Sequence, residues 1–226
     1  MTTALAFDLY GTLVDTNGVV PRLRGIVGDG AEALSRTWRE KQLEYSFRRG
    51  LMRDYADFAV CTSDALDFAC TYYRMSLSAE QRHAVLDTYR TLPAYADVRD
   101  ALDGLKTAGH RLYVLSNGST EAVETVLTGA GIRDLFLGVV SVEDLKTFKP
   151  DPVVYRHFLK KTAASLSSAW LVSSNPFDVI GALSASMRAA WVRRSPAAIF
   201  DPWGTEPTVT VASLHELGAE IAAASA

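Results

Sequence analysis

Short apolar runs recur along the chain, and segments with helical spacing of apolar residues separate most of them. The runs predict buried β-strands at residues 4–7, 111–116, 138–141, 170–173 and 189–192. The intervening periodicity predicts helices at residues 98–108, 120–130, 152–162 and 176–185. Strands that alternate with helices are typical of a parallel sheet covered on both faces. The pattern therefore predicts an α/β fold whose ligands bind beyond the carboxyl ends of the strands.

The interval between the first two predicted strands breaks this alternation. It contains no convincing strand, and its apolar residues favour helices at 31–52, 54–73 and 78–91. We interpret it as a helical module that is inserted after the first strand and closes over the site. The predicted domains are an α/β core of residues 1–14 and 94–226 and a helical cap of residues 15–93.

Composition narrows the class of protein. The 226 residues are 48% hydrophobic and 22% charged, which is ordinary for a soluble enzyme. The net charge is −3 and the sequence contains no cluster of basic residues, so we expect no nucleic-acid binding. We also expect no membrane span and no signal peptide, and we predict a cytoplasmic enzyme. Cys61 and Cys70 are then buried thiols rather than a disulfide.

Asp8 is the leading catalytic candidate, because it follows the first predicted strand and precedes a turn at Gly11. A carboxylate there can attack carbon or phosphorus and form a covalent intermediate. Thr12 can orient it through a hydroxyl hydrogen bond. The alternatives are an aspartate that caps a turn or a helix and an ordinary turn threonine.

Tyr10 restricts the reaction. Many hydrolases with such a nucleophile carry a second aspartate two positions later, which protonates the leaving group. This chain has a phenol there. The site therefore suits a leaving group that departs without a proton.

Polar residues that follow the later strands supply the remaining candidates. Ser116 and Asn117 open a helix, where backbone N–H groups bind anions, although both residue types also favour plain helix caps. Lys149 is either a surface lysine or the counter-charge that keeps Asp8 ionised. Asp178 is either the base that activates water or a first-turn helix acid.

Together these segments resemble the haloacid dehalogenase superfamily, and more narrowly the L-2-haloacid dehalogenases. The matching motifs are Asp-Leu-Tyr-Gly-Thr-Leu (8–13), Trp-Arg-Glu-Lys-Gln-Leu-Glu-Tyr (38–45), Ser-Asn-Gly (116–118), Lys-Pro-Asp-Pro-Val-Val-Tyr (149–155) and Ser-Ser-Asn-Pro-Phe-Asp (173–178). The match spans nearly the whole chain. It implies a doubly wound core with a four-helix cap, a homodimer and a reaction that needs no metal. We expect no cofactor.

The resemblance also implies roles for residues at matched positions. Asp8 is the nucleophile, supported by Thr12, Lys149, Tyr155, Ser173, Asn175 and Asp178, of which Asp178 activates water. Arg39 and Asn117 receive the halide, and only the resemblance selects Arg39 over Arg36, Lys41 and Arg48. Ser116 and the backbone near Leu9 and Tyr10 hold the substrate carboxylate. The apolar wall consists of Tyr10, Leu43, Phe58 and Phe177.

These residues predict hydrolytic dehalogenation of a small anionic 2-halocarboxylic acid. Asp8 attacks C2 and displaces halide, and water then hydrolyses the ester, so an L-2-haloacid becomes a D-2-hydroxy acid. Magnesium needs several oxygen ligands, preferably anionic, and Tyr10 and Ser174 stand where metal-dependent relatives place acids. Two departures, Glu40 for glutamine and Phe177 for tryptophan, leave substrate preference open.

Three alternatives remain at this point. A related hydrolase that removes fluoride or opens a strained ring uses the same covalent chemistry. A phosphatase is disfavoured by Tyr10 and Ser174. A catalytically silent binding protein forms no ester on Asp8.

Overall fold

A six-stranded parallel sheet organises the protein in the computed structural model, which describes residues 2–225. The strands are β1 (Ala4–Phe7), β2 (Arg111–Ser116), β3 (Gly138–Ser141), β4 (Ala169–Ser173), β5 (Arg188–Val192) and β6 (Val209–Val211). Their order is β3-β2-β1-β4-β5-β6, and all neighbours run parallel. Since the chain moves outward from β1 in both directions, the order reverses beside β1, where open α/β sheets bind ligands.

Nine α-helices accompany the sheet within the described residues. They are α1 (Val20–Val27), α2 (Ala31–Met52), α3 (Phe58–Tyr72), α4 (Ala79–Thr88), α5 (Val98–Thr107), α6 (Thr120–Gly129), α7 (Pro152–Thr162), α8 (Pro176–Ser184) and α9 (Leu217–Ala223). Helix α6 packs on β3, and α8 packs on β4 and β5. Parallel crossovers are almost always right-handed, so opposite directions of winding place helices on opposite faces. The predicted doubly wound α/β fold is confirmed.

The burial of the central strands explains why they could be predicted from the sequence. Every residue of β1 and β4 is buried, as expected of central strands covered on both faces. Phe7 of β1 meets Phe136 edge to face at 6.0 Å between ring centroids. Each fully buried large apolar side chain contributes about 1.5–3 kcal/mol relative to exposure. This packing fixes the strand ends that carry the polar candidates.

Five helices lie between β1 and β2, and the first four of them, α1–α4, are called the helical cap. Helix α2 packs along α3 and against α1, and α1 also contacts α4. The bounds of α2 agree with the predicted helix. Helix α3 begins at Phe58 rather than at residue 54, because the Asp57 carboxylate caps it by accepting from Ala59 N. The domain boundaries at residues 15 and 93 stay a prediction.

Three elements escaped the sequence reading: α1, β6 and α9. Helix α1 is short and contains Pro21 and Gly25, which weaken its helical signal. Strand β6 has three residues at the sheet edge. Both cysteines are free, although Cys70 is only half-buried rather than buried. Within residues 2–225, no helix combines the length and the apolar character that crossing a membrane requires.

Candidate active site

The strand ends bring the predicted polar residues to one edge of the sheet. Asp8 directly follows β1, and Ser116 and Ser173 are the last residues of β2 and β4. Asn175 is the N-cap of α8, and Asp178 lies in its first turn. Because β1 lies between β2 and β4, Asp8 occupies the centre of this edge.

Three side chains hold the Asp8 carboxylate. Thr12 Oγ1 and Asn175 Nδ2 each donate to Oδ2 at 2.8 Å, and Lys149 Nζ donates to Oδ1 at 3.1 Å. These hydrogen bonds fix the Asp8 side chain, and its exposed fraction of 11% leaves part of it accessible. Within residues 2–225 the Asp8 carboxylate accepts from these three side chains and from no backbone N–H group, so it caps neither a turn nor a helix. Thr12 lies in the turn and also donates to Asp8.

Lys149 bridges two carboxylates. Its side chain is 1% exposed, and Nζ lies 3.1 Å from Asp8 Oδ1 and 2.8 Å from Asp178 Oδ2. Burial by itself lowers the pKa of Lys149, but the charges of Asp178 and Asp8 outweigh burial and raise it. The alternative of a surface lysine is thereby excluded. The ammonium group stays charged between the two acids.

Tyr155 completes the partners of Asp178. Its hydroxyl donates to Asp178 Oδ1 at 2.8 Å and to the Asp178 carbonyl at 3.0 Å. Burial and the charge of Asp178 hold the pKa of Tyr155 well above its usual value. Burial, opposed by Lys149 and reinforced by Asp8, raises the pKa of Asp178. A carboxylate with a raised pKa is the stronger base, which suits the predicted role of Asp178 toward water.

Arg39 reaches the site from α2. Its Nη2 donates to the Tyr10 carbonyl at 3.3 Å, and Asn175 Nδ2 donates to the same oxygen at 3.2 Å. The other cations that the sequence left open point elsewhere: Arg36 is exposed, and Lys41 and Arg48 both pair with Glu44. The geometry therefore agrees with the choice of Arg39.

Ser116 and Asn117 do not cap helix α6, because Ser119 does so by accepting from Ala122 N. Gly118 N donates to Ser116 Oγ, so the hydroxyl hydrogen of Ser116 remains available to an acceptor. Lys149 N donates to Asn117 Oδ1 at 2.9 Å, which leaves the Asn117 NH2 group as its donor. The cap alternative fails, and both residues present donors instead.

Backbone donors lie at the end of β1. Within residues 2–225, the N–H groups of Leu9 and Tyr10 have no backbone or side-chain acceptor, whereas Asp8 N donates to Val172 O at 2.9 Å. Successive N–H groups of this kind bind anions. Their position agrees with the expected site for a substrate carboxylate.

Three of the predicted wall residues take part in aromatic pairs. The ring centroids of Tyr10 and Phe58 are 6.2 Å apart, and those of Phe177 and Phe47 are 4.9 Å apart. Leu43 is half-buried on α2. The side chains of Phe58, Phe177 and Leu43 are apolar, and their assignment to the wall stays a prediction.

Two cavities are each lined in part by residues of the predicted site, although neither lining includes Asp8, Arg39, Asn117 or Asp178. One of about 420 Å³ is lined by residues of the cap and the core that include Tyr10, Gln42 and Gly118. The other, of about 410 Å³, is lined by residues that include Phe47 and Lys149. Both volumes fall within the range of about 300–1,000 Å³ that is typical of small-molecule sites.

Comparison with known proteins gives the family. A profile of the haloacid dehalogenase-like hydrolases matches residues 2–186. The chain belongs to this family.

Three relatives of this haloacid dehalogenase-like hydrolase are informative. It is 39% identical over 213 residues to an (S)-2-haloacid dehalogenase of Pseudomonas putida, which covers 94% of this chain and 93% of that one. It is 36% identical over 208 residues to haloacetate dehalogenase H-2 of Moraxella sp. (strain B), with 92% of each chain covered. The solved structure of L-2-haloacid dehalogenase from Xanthobacter autotrophicus with chloropropionic acid covalently bound has a TM-score of 0.89 at 28% identity, covering 98% of this chain and 99% of that one. The resemblance to L-2-haloacid dehalogenases is confirmed.

Two further residues of the hydrolase, Ser174 and Arg194, support Thr12, which the sequence did not predict. Ser174 N donates to Thr12 Oγ1 at 2.8 Å, and Ser174 Oγ donates to Gly11 O at 2.7 Å, so this serine fixes the hydroxyl that holds Asp8. Arg194 Nη2 donates to Thr12 O at 2.7 Å while its Nη1 pairs with Asp97. The signal for Ser174 was its place beside Ser173, whose own Oγ accepts from Asn175 N.

The donor set of the dehalogenase bears on metal binding. Tyr10 is nearly fully buried, and burial is the main cause that raises its pKa, so its phenol stays neutral. Ser174 carries no charge, and the space between Asp8 and Asp178 holds the Lys149 ammonium. In residues 2–225, no three His, Cys, Asp or Glu side chains are grouped as a metal site requires.

Proposed function

We propose that the enzyme converts short-chain L-2-haloacids to D-2-hydroxy acids and halide through a covalent ester on Asp8. At the coarser level, the chain is a hydrolase that acts on the carbon–halide bond of 2-haloacids. The observation that carries the finer proposal is the ion cluster in which Lys149 Nζ lies between the carboxylates of Asp8 and Asp178. The cluster places the proposed nucleophile, a buried lysine and the proposed base in one site.

In the first step, an oxygen of Asp8 attacks C2 of the substrate in line with the carbon–halogen bond. The halogen leaves with the bonding electron pair as halide, so no proton is needed. The Arg39 guanidinium and the Asn117 NH2 group receive this developing anion. Ser116 and the N–H groups of Leu9 and Tyr10 bind the substrate carboxylate, while Leu43, Phe58 and Phe177 contact its apolar part.

In the second step, water attacks the carboxyl carbon of the Asp8 ester. Asp178 accepts a proton from the water and returns it to the departing alkoxide, and the new Asp8 carboxyl group releases its proton to solvent. Lys149 stays charged and stabilises the negative charge on the tetrahedral intermediate. Since only the first step touches C2, configuration inverts once.

The proposed reaction needs no metal, because the chain's own groups meet each requirement. The Lys149 ammonium offsets the charge of Asp8, and halide leaves without a general acid. Neither Tyr10 nor Ser174 offers the anionic oxygen that a hard cation prefers. Glu40, the departure next to Arg39, is exposed to solvent and so leaves the anion site free of added negative charge.

Halide release in the presence of a chelator tests this function. The parent enzyme is expected to release chloride from L-2-chloropropionate and not from the D enantiomer, with D-lactate as the product. A folded Asp8→Asn variant is expected to release none. Turnover that requires magnesium, or release of phosphate from phosphate esters in place of halide, would contradict the proposal.

Two further expectations accompany this function and stay predictions. The enzyme is expected to form a homodimer, which light scattering after size-exclusion chromatography measures directly. It is also expected in the cytoplasm, which fractionation of the native cells tests.

A further inference from the structure

Gln42 is a fully buried amide on α2, three residues after Arg39. Its Oε1 accepts from Arg39 Nη1 at 2.6 Å, and its Nε2 donates to Thr62 Oγ1 at 2.6 Å. A buried amide with partners on both ends has one position and one orientation. Gln42 thus joins the guanidinium of Arg39 to helix α3.

The direction of these hydrogen bonds is fixed by the chemistry of the partners. Arg39 can only donate, so the amide oxygen of Gln42 must face it. Thr62 Oγ1 donates to the Phe58 carbonyl at 2.8 Å, so it accepts from the Gln42 NH2 group. Thr62 is itself buried, and its carbonyl accepts from Trp38 Nε1 at 2.8 Å, which ties α2 to α3 at this point.

Arg39 is held by two acceptors on the two arms of its fork. Nη1 donates to Gln42 Oε1, and Nη2 donates to the Tyr10 carbonyl at 3.3 Å. A guanidinium has five N–H donors. Within residues 2–225 Arg39 makes only these two hydrogen bonds, so its other hydrogens can bind an anion. The Tyr10 contact alone is long. The shorter Gln42 contact is the one that sets the orientation of the plane.

We propose that Gln42 is a positioning residue that orients the Arg39 guanidinium toward the departing halide, with Thr62 fixing the amide. The inference rests on the proposed function, in which Arg39 receives the halide. Without Gln42, the Arg39 side chain gains rotamers and must be ordered again as the carbon–halogen bond breaks. Positioning of this kind affects the step that releases halide and leaves ester hydrolysis unchanged.

The Gln42→Met variant tests the inference, because methionine keeps the length and loses both hydrogen bonds. We expect kcat/KM for L-2-chloropropionate to fall about 10- to 100-fold, as for loss of a hydrogen bond to a charged group. The fall for L-2-bromopropionate is smaller, because bromide leaves more readily. Inhibition by added chloride weakens, and the rate of ester hydrolysis in a single turnover stays at the parent value.

A matched pair at Thr62 separates positioning from packing. Thr62→Val removes the acceptor of the Gln42 NH2 group and is expected to shift the chloride-to-bromide ratio in the same direction. Thr62→Ser keeps the hydroxyl and is expected to restore the parent ratio. If Gln42→Met does not fold, this pair alone decides the question.

The inference is overturned if folded Gln42→Met or Thr62→Val keeps the parent ratio and the parent chloride inhibition, even when its melting temperature falls. Arg39→Gln is measured alongside. If Arg39→Gln also leaves chloride inhibition unchanged, the halide role of Arg39 in the proposed function fails. If Arg39→Gln abolishes it and the other variants do not alter it, only the role of Gln42 fails.

Discussion

The buried ammonium of Lys149 lies 3.1 Å from Oδ1 of Asp8. The two residues are 141 positions apart, and the parallel sheet brings them together by setting the end of β1 beside the loop that follows β3. The same nitrogen lies 2.8 Å from Asp178. A single cation therefore serves two carboxylates, and the predictions below depend on this shared charge.

Lys149→Met is expected to abolish halide release and to destabilise the fold by about 3–5 kcal/mol at neutral pH, because it leaves two buried carboxylates without a counter-charge. Urea denaturation measures the change. The control is Lys160→Met, which alters an exposed lysine of α7 and is expected to cost no more than about 0.5 kcal/mol. Equal stability of the two variants would contradict the claim that Lys149 compensates the buried charges of Asp8 and Asp178.

The pH dependence of kcat follows from the pKa shifts of the cluster. Burial raises the pKa of Asp178, so the acid limb is expected above the ordinary aspartate value of about 3.9. Burial lowers the pKa of Lys149, but the charges of Asp178 and Asp8 raise it by more. The alkaline limb of kcat that reflects Lys149 is therefore expected above pH about 10.4. The folded state binds the Lys149 proton more tightly, so this contribution to stability is complete below about 10.4 and is lost as pH rises through the folded value. An alkaline limb near pH 8 that disappears in Lys149→Arg would contradict this assignment.

Tyr155→Phe removes the hydroxyl that donates to Asp178. We expect the water step to slow about 10-fold and the acid limb of kcat to move to higher pH, since the ionised form of Asp178 loses a donor. Tyr113→Phe is the control, because the Tyr113 ring packs edge to face on Phe158 and its hydroxyl makes no hydrogen bond within residues 2–225. Single-turnover decay of the ester measures the effect. An acid limb at the same pH in Tyr155→Phe and the parent enzyme would contradict the claim that the Tyr155 hydroxyl stabilises ionised Asp178.

Gly181→Ala tests whether packing behind the cluster matters. A Cβ at Gly181 would lie 2.6 Å from Pro150 Cβ and would also collide with the Tyr155 hydroxyl. We expect the free energy of unfolding to fall by about 1–3 kcal/mol. We also expect slower turnover, because the Tyr155 hydroxyl is displaced from Asp178. In the control, Gly104→Ala, the new methyl on α5 meets nothing within 4 Å and is expected to stabilise the helix by about 0.5–1 kcal/mol. Denaturant midpoints of both variants decide between these outcomes.

The centre of the sheet could be predicted because β1 and β4 are buried on both faces and form apolar runs in the sequence. The edge strand β3 was predicted, but the opposite edge strand β6 was not, since Val209–Val211 is too short to stand out from a loop. Helix α1 was not predicted, because its proline and glycine weaken the helical pattern even though Leu23 is fully buried.

Much of the candidate site could also be predicted, because polar residues that follow parallel strands meet at one edge. The cation from the cap could not be chosen from spacing, since Arg36, Arg39 and Lys41 all lie on one helix. The family resemblance alone selected Arg39, and the contact with the Tyr10 carbonyl supplies a physical reason for that choice. The supports of Thr12 by Ser174 and of Arg39 by Gln42 depend on side-chain orientation, which no sequence period encodes.

A single turnover in water labelled with heavy oxygen tests the covalent role of Asp8 most directly. The account predicts that, with enzyme in excess, the product D-2-hydroxy acid contains no label and the peptide that carries Asp8 gains it, because water attacks the carboxyl carbon of the ester. Label in the product after that first turnover, with an unlabelled Asp8 peptide, would mean that water attacks C2 itself and would contradict the account.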